Sequence, residues 1–307
     1  CVEGVLAQTH VDWEYLICDN ASSDATAEVA ARYAARDPRI RHLRFEEHLP
    51  QMPNYNRALR QASTESRYIK VIQADDWMFP ECLERVVSLA EAHPRVGLVG
   101  CYQMRGRAVG AQALALEEAV IPGPEACRRH LLSGRSPFGS PSSVLYRADE
   151  VRAREPFYRE DSLLEDTQVC YEILRRNDFG FVHQVLVYVR VDNPSITSGF
   201  SGYRPYLLHE ILLLQEYGPE MLSPHEMERR GAELWSRYRS FLASEAFTGR
   251  DEDFWSYHAE GWRALGRALD AGTRRALWWE GLWEYLGNPL DSWRHLRARR
   301  RQGGGRS

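Results

Sequence analysis

The chain has 307 residues, 27% of them charged and 44% apolar, with a formal net charge of −4. This is the composition of a globular protein with room for one large domain, or a domain plus an extension. The slight negative balance argues against a nucleic-acid partner, and no apolar run is long enough to span a bilayer. The six cysteines, at 1, 18, 82, 101, 127 and 170, form no C-x-x-C pair, and several sit in apolar runs. They read as small core residues of a reducing compartment. No signal peptide is visible, and residue 1 is not Met. A fragment or processed product is therefore expected.

Val2, Val5 and Leu6 fit the tail of an amphipathic helix. Residues 15–18 read as a short buried strand ending at Asp19-Asn20, followed by a helix with Thr26, Val29, Ala30 and Tyr33 on one face. A strand is expected at 40–45 and a short helix at 54–62. Residues 68–72 read as a buried strand that stops at the adjacent carboxylates Asp75 and Asp76. Pro80 then opens a helix whose apolar stripe is Cys82, Leu83, Val86, Val87 and Ala90. Another strand follows at 96–101. This strand–helix alternation predicts a mainly parallel sheet with helices on its faces.

Residues 106–123 are loosely patterned and read as an excursion. A short helix at 125–132 leads to the Gly/Pro/Ser loop 137–143, which either lines an acceptor site or is a plain turn. A strand at 144–147, a helix at 166–175 and a β-rich run at 179–191 come next. His183 sits in that run and reads as a satisfied core histidine. From residue 203 onward the pattern is helical, at 207–217, 224–247, 254–271 and from 273 to the end. The expected division is an α/β catalytic domain over 1–200 and a helical extension with a basic tail over 201–307.

Two strands thus deliver acids to one sheet edge, the edge where open α/β sheets bind ligands. Asp75 and Asp76 repel one another, which a hard cation relieves; the alternative is an Asp-rich turn that caps the next helix. Asp19 either accepts hydrogen bonds from a base or ribose, or caps a turn. Glu165-Asp166 opens a helix, where the dipole favours carboxylates, or supplies a general base. The Gly-rich phosphate loops of dinucleotide-binding and P-loop enzymes are absent.

The stretches 5–24, 54–59, 73–80 and 165–166, taken in order, resemble the family 2 glycosyltransferases, inverting enzymes with the GT-A fold. The resemblance extends over residues 1–195, about two thirds of the chain. It implies a mixed α/β sheet flanked by helices, and sugar transfer from a nucleotide-diphosphate sugar to an acceptor hydroxyl in cell-surface polysaccharide or glycan biosynthesis. It also implies roles. Asp19 and Asn56 belong to the donor nucleotide site, with Asp76 touching the donor. Asp75 holds Mg²⁺ or Mn²⁺, and Asp166 takes the acceptor proton with Glu165 beside it. Gln73 stands where the family carries the first Asp of its D-x-D, which leaves fewer carboxylates for metal. The family's first strand is expected before Cys1.

Residues 193–198 read as a loop over the donor diphosphate or a polar linker. Trp278, Trp279, Trp283, Tyr285 and Trp293, followed by the arginines of 294–301, suit either a helix on an anionic membrane surface or packed helices with a solvated tail. The first option fits a lipid-linked acceptor and a cytoplasmic enzyme at the inner membrane face. The rival functions are a nucleotidyltransferase that makes nucleotide-sugars and a non-catalytic, degenerate transferase domain.

Overall fold

The computed structural model describes residues 1–160, 164–191 and 201–287. The chain divides into two compact units, 1–194 and 195–307. The readings made on 193–198 and on the basic tail 294–301 lie outside the described residues.

The first unit runs α1 (Val2–Leu6), β1 (Tyr15–Asp19), α2 (Thr26–Ala34), β2 (Ile40–Arg44), α3 (Gln51–Leu59), β3 (Tyr68–Ile69), β4 (Trp77–Met78), α4 (Cys82–Ala92), β5 (Val96–Arg105), β6 (Ala108–Gly110), β7 (Val120–Pro122), α5 (Gly123–Ser133), β8 (Leu145–Arg147), α6 (Ala148–Arg152), α7 (Glu165–Leu174) and β9 (Asp178–Val189). Among the described residues β1 and β2 form a parallel pair, and seven strands form a second sheet. Its path is β3-β8-β5-β9-β4, with β6 on β5 and β7 on β9.

The class is mixed α/β, as expected, and its two longest ladders are parallel. Among the described residues β1–β2 and β5–β9 are parallel, whereas the shorter ladders β3–β8, β4–β9, β5–β6, β5–β8 and β7–β9 are antiparallel. The antiparallel partners include two- and three-residue strands, too short to stand out in a pattern reading. The strand expected over 68–72 is one of them. Its ladder stops at Ile69, and Lys70 instead turns its Nζ to the carbonyls of Ser142 (2.5 Å) and Val144 (3.4 Å).

The core lies between α4 and the β5–β9 pair, where Cys82, Val86, Ala90, Val96, Val99, Cys101, Leu186 and Val187 are buried with Val5 and Met78. Each Val, Leu or Met side chain among them, fully buried, stabilises by roughly 1.5–3 kcal/mol. All six cysteines are free thiols, and Cys82, Cys101, Cys127 and Cys170 are buried. His183 is satisfied as expected, by Tyr102 Oη at 2.9 Å and the Glu118 carbonyl at 3.0 Å.

The second unit contains the helices α8 (Pro205–Met221), α9 (Pro224–Thr248), α10 (Glu252–Ala264) and α11 (Ala271–Gly287). Ser223 and Glu226 form a reciprocal capping box at the start of α9, and Asp251 caps α10. No described helix is long and apolar enough to cross a membrane.

Candidate active site

Asp19 ends β1 with its side chain buried. Its Oδ1 accepts from the Ser22 N–H at 2.9 Å, while its Oδ2 has no hydrogen-bond partner. Burial disfavours its charge, but the Ser22 hydrogen bonds together with Arg44 and His42 outweigh that and hold the carboxyl below the usual carboxylate range. The neighbouring Asn20 is engaged by protein. It exchanges both amide hydrogen bonds with Leu49 and accepts from Arg57 at 2.7 Å.

The second acid pair differs in burial. Asp76 is 1% exposed, and both its oxygens are engaged. Oδ2 accepts from the Ser142 hydroxyl at 2.6 Å and Oδ1 from the Arg190 N–H at 3.0 Å. Desolvation raises its pKa despite those bonds. Asp75, one residue earlier, is half-buried and is the more exposed residue of the pair.

The Ser142 hydroxyl also accepts from the Gln73 N–H at 3.1 Å, so one loop side chain ties both ends of the 73–76 turn. Gln103 holds that loop in turn, with its Oε1 accepting from Ser140 N–H at 2.9 Å and the Ser143 hydroxyl at 2.7 Å. The loop passes so close to Gln103 that a Cβ at Gly139, where φ is +72°, would lie 2.9 Å from that same oxygen.

Two neighbours on α3 connect these parts. Tyr55 Oη accepts from Gln51 and Gln73, each at 3.0 Å, and the charges of Asp75 and Asp76 reach it. Asn56 is 2% exposed, and its amide bonds Tyr158 and Glu160. The Tyr55 and Tyr158 rings lie 6.0 Å apart, and the charge of Asp166 reaches Tyr158.

Glu165 and Asp166 open α7. Desolvation pushes Glu165 up to about 7, with the Asp166 charge adding to it, and its buried Oε2 has no partner. Burial also raises Asp166, whose Oδ1 accepts from the Thr167 hydroxyl at 3.3 Å. A carboxyl with a raised pKa is a better base near neutral pH than an ordinary one.

Among the described residues no three His, Cys, Asp or Glu side chains cluster as a complete metal site. Mg²⁺ and ions like it are commonly held by one or two carboxylates, with substrate phosphates and water completing the shell. Asp75 alone, with Asp76 fully engaged, fits an ion held in that way.

Sequence reasoning marked the acids but missed several groups around them. His42 and Arg44 on β2, Lys70, Gln103 and the bridging role of Ser142 carried no local signal, because each acts across a long sequence separation. Tyr55 reads from its spacing as an apolar face residue.

Residues 1–152 match the family model described as Glycosyl transferase family 2. This part of the chain belongs to that family of glycosyltransferases. EpsE of Bacillus subtilis (strain 168), which bears a provisional glycosyltransferase name, is 26% identical over 200 residues, covering 62% of this chain and 67% of EpsE. TuaG of the same organism, provisionally named a teichuronic acid biosynthesis glycosyltransferase, is 33% identical over 84 residues. That match covers 27% of this chain and 32% of TuaG, so the chain spans about a third of that relative.

S. aureus TarS 1-349 in complex with UDP-GlcNAc superimposes with a TM-score of 0.61 at 17% identity, covering 86% of this chain and 74% of that one. The mannosyltransferase PcManGT from Pyrobaculum calidifontis, in complex with GDP-Man and Mn²⁺, gives a TM-score of 0.53 at 17% identity. It covers 92% of this chain and 82% of that one. These likenesses establish the GT-A fold.

Proposed function

We propose that the first unit moves a sugar from a nucleoside-diphosphate sugar to an acceptor hydroxyl in cell-surface glycan synthesis, with inversion. Asp19 receives the base. Asp75 holds a divalent ion against the diphosphate, where that ion would stabilise the charge on the leaving group. Asp166 accepts the proton of the incoming hydroxyl from the opposite side of the sugar, so no covalent enzyme intermediate is required. Glu165, neutral over much of the acidic range, adds little negative charge beside Asp166 there. Asn56 and Asp76 serve from behind, Asn56 by fixing Tyr158 and Asp76 by fixing the loop at Ser142.

One contact carries this assignment. The Tyr55–Tyr158 ring pair, at 6.0 Å, joins a residue within reach of Asp75 and Asp76 to one within reach of Asp166. The donor class agrees with the ligands named for TarS and PcManGT, and the acceptor class with the name of TuaG. The test is nucleoside-diphosphate release from a panel of nucleotide-sugars, with and without Mn²⁺. Metal-stimulated release from one donor supports the assignment, and no release from any donor counts against it.

Peripheral membrane contact is a second element of the proposal. Trp279, Trp283 and Leu286 are 56%, 69% and 57% exposed on α11. Their i, i+4, i+7 spacing puts them in one stripe, as in helices that lie in a lipid interface. Flotation with anionic liposomes should weaken in a Trp279→Ser, Trp283→Ser variant. Unchanged flotation rejects the contact.

A further inference from the structure

Resting on the membrane contact proposed above, we propose that a pocket in the second unit receives the phosphate monoester of an anionic lipid headgroup. The cavity, of about 390 Å³, lies where the end of α9 and the starts of α10 and α11 meet. Arg250, Arg274 and Arg275 line it together with Trp255 and Trp278, and among the described residues no acid does. A cavity of that size admits a small ligand, and guanidinium forks match the oxygens of an anion.

The three arginines differ in how firmly they are held. Arg250 is fixed: its Nε donates to Glu245, whose side chain is 4% exposed, and its Nη2 to the Gly202 carbonyl at 3.1 Å. Arg274 lies over the Trp255 ring, 4.7 Å from its centre, and pairs at 3.1 Å with Glu252, which is 82% exposed. An ion pair that open is worth little, so a phosphate can take the place of Glu252. Arg275 makes no hydrogen bond or ion pair among the described residues. Its charge reaches Asp270, but that carboxylate already accepts from the Thr273 N–H at 2.7 Å. Glu245 and Glu252 thus match two of the three charges, and the third is open to an anion.

Position along α11 says which anion arrives there. Arg275 stands four residues before Trp279, so it extends the exposed stripe of Trp279, Trp283 and Leu286 by one turn. Trp278 lines the pocket, and its ring lies 5.0 Å from that of Trp279. The pocket therefore borders the face that would meet the membrane. With the indoles at interfacial depth, Arg274 and Arg275 come to the level of the lipid phosphates. A phosphate monoester offers three free oxygens, enough for forks from two guanidiniums, whereas a phosphodiester offers two.

The experiment is flotation of the full chain with phosphatidylcholine vesicles that carry either phosphatidic acid or phosphatidylglycerol, matched in surface charge. Binding to the phosphatidic acid vesicles should be at least about tenfold tighter, the worth of an added charged hydrogen bond. Arg274→Gln and Arg275→Gln should each narrow that preference by about three- to tenfold. Arg275→Gln removes no hydrogen bond or ion pair within the protein, so a folding defect does not blunt the test. The Trp279→Ser, Trp283→Ser variant should lose binding to both kinds of vesicle alike. Equal binding to the two, tighter binding to phosphatidylglycerol, or a preference unchanged in both arginine variants overturns the headgroup pocket while leaving the membrane contact standing. Calorimetric titration with glycerol 3-phosphate supplies the remaining arm: binding as tight as that to the vesicles assigns the pocket to a free phosphate ester and overturns the lipid. If the chain floats with neither vesicle, or the tryptophan variant floats like wild type, the membrane contact itself falls, and the headgroup pocket with it.

Discussion

Asn56 grips the backbone of Tyr158 from both sides: its Nδ2 donates to the Tyr158 carbonyl and its Oδ1 accepts from the Tyr158 N–H, each at 2.8 Å. The two residues are 102 positions apart, so α3 and the approach to Glu165-Asp166 are fastened by one side chain. Asn56→Ala would leave a buried N–H and a buried carbonyl unpaired, at a cost of roughly 1–3 kcal/mol each. A fall in the urea midpoint accompanied by lost donor turnover is expected. A midpoint equal to wild type would show that the clasp contributes nothing.

Tyr55 collects two amide donors at its hydroxyl and thereby fixes Gln73 beside Asp75. Tyr55→Phe keeps the ring against Tyr158 but releases Gln51 and Gln73. We expect kcat/KM to fall by about tenfold, roughly 1.4 kcal/mol, with stability nearly unchanged because both amides are only half-buried. Steady-state kinetics beside a melting curve checks this, and loss of folding rather than of rate would contradict it.

Glu165 gives a signed pH dependence. Its folded value is raised to about 7 from an ordinary 4.5, mainly by desolvation, so the folded state binds the proton more tightly than the unfolded one. Its contribution to stability is therefore fully present at low pH and is lost as pH rises from the unfolded value through about 7. Glu165→Gln removes that loss. The variant should melt roughly 2–6 °C above wild type at pH 8 and converge with it near pH 4. Melting curves across that range that run parallel for the two proteins would reject the shift.

Ser142 holds the 73–76 turn by accepting from the Gln73 N–H and donating to Asp76. Ser142→Ala strips a hydrogen bond from a carboxylate that is 1% exposed, a change of roughly 1–3 kcal/mol in the destabilising direction. Because Asp75 rides on the same turn, Mn²⁺ stimulation should also weaken. Stability and metal response that both match wild type would remove Ser142 from the account.

The pattern reading recovered the long elements and the acids, since strand ends and helix starts mark themselves by where an apolar run stops. It placed α9 within a residue of its ends, and the structure shows a Ser223–Glu226 capping box with Pro224 in the first turn at that start. It began α3 at residue 54 although the helix starts at Gln51; Pro53 sits in the first turn, where its missing N–H costs nothing. It carried a strand through 68–72, where Lys70 leaves the ladder for the carbonyls of Ser142 and Val144. What was illegible shares one cause. Asp76 with Ser142, Asn56 with Tyr158 and Asp19 with His42 are pairs made by the fold, and neither member carries a mark of the other in its own neighbourhood.

The most direct test is donor turnover by the full chain, compared with Asp166→Asn and Asp75→Ala under saturating Mn²⁺. The account predicts that Asp166→Asn loses turnover by at least about a hundredfold while still binding nucleoside diphosphate. It predicts that Asp75→Ala loses the stimulation by metal. Sugar transfer at the wild-type rate in either variant would contradict it.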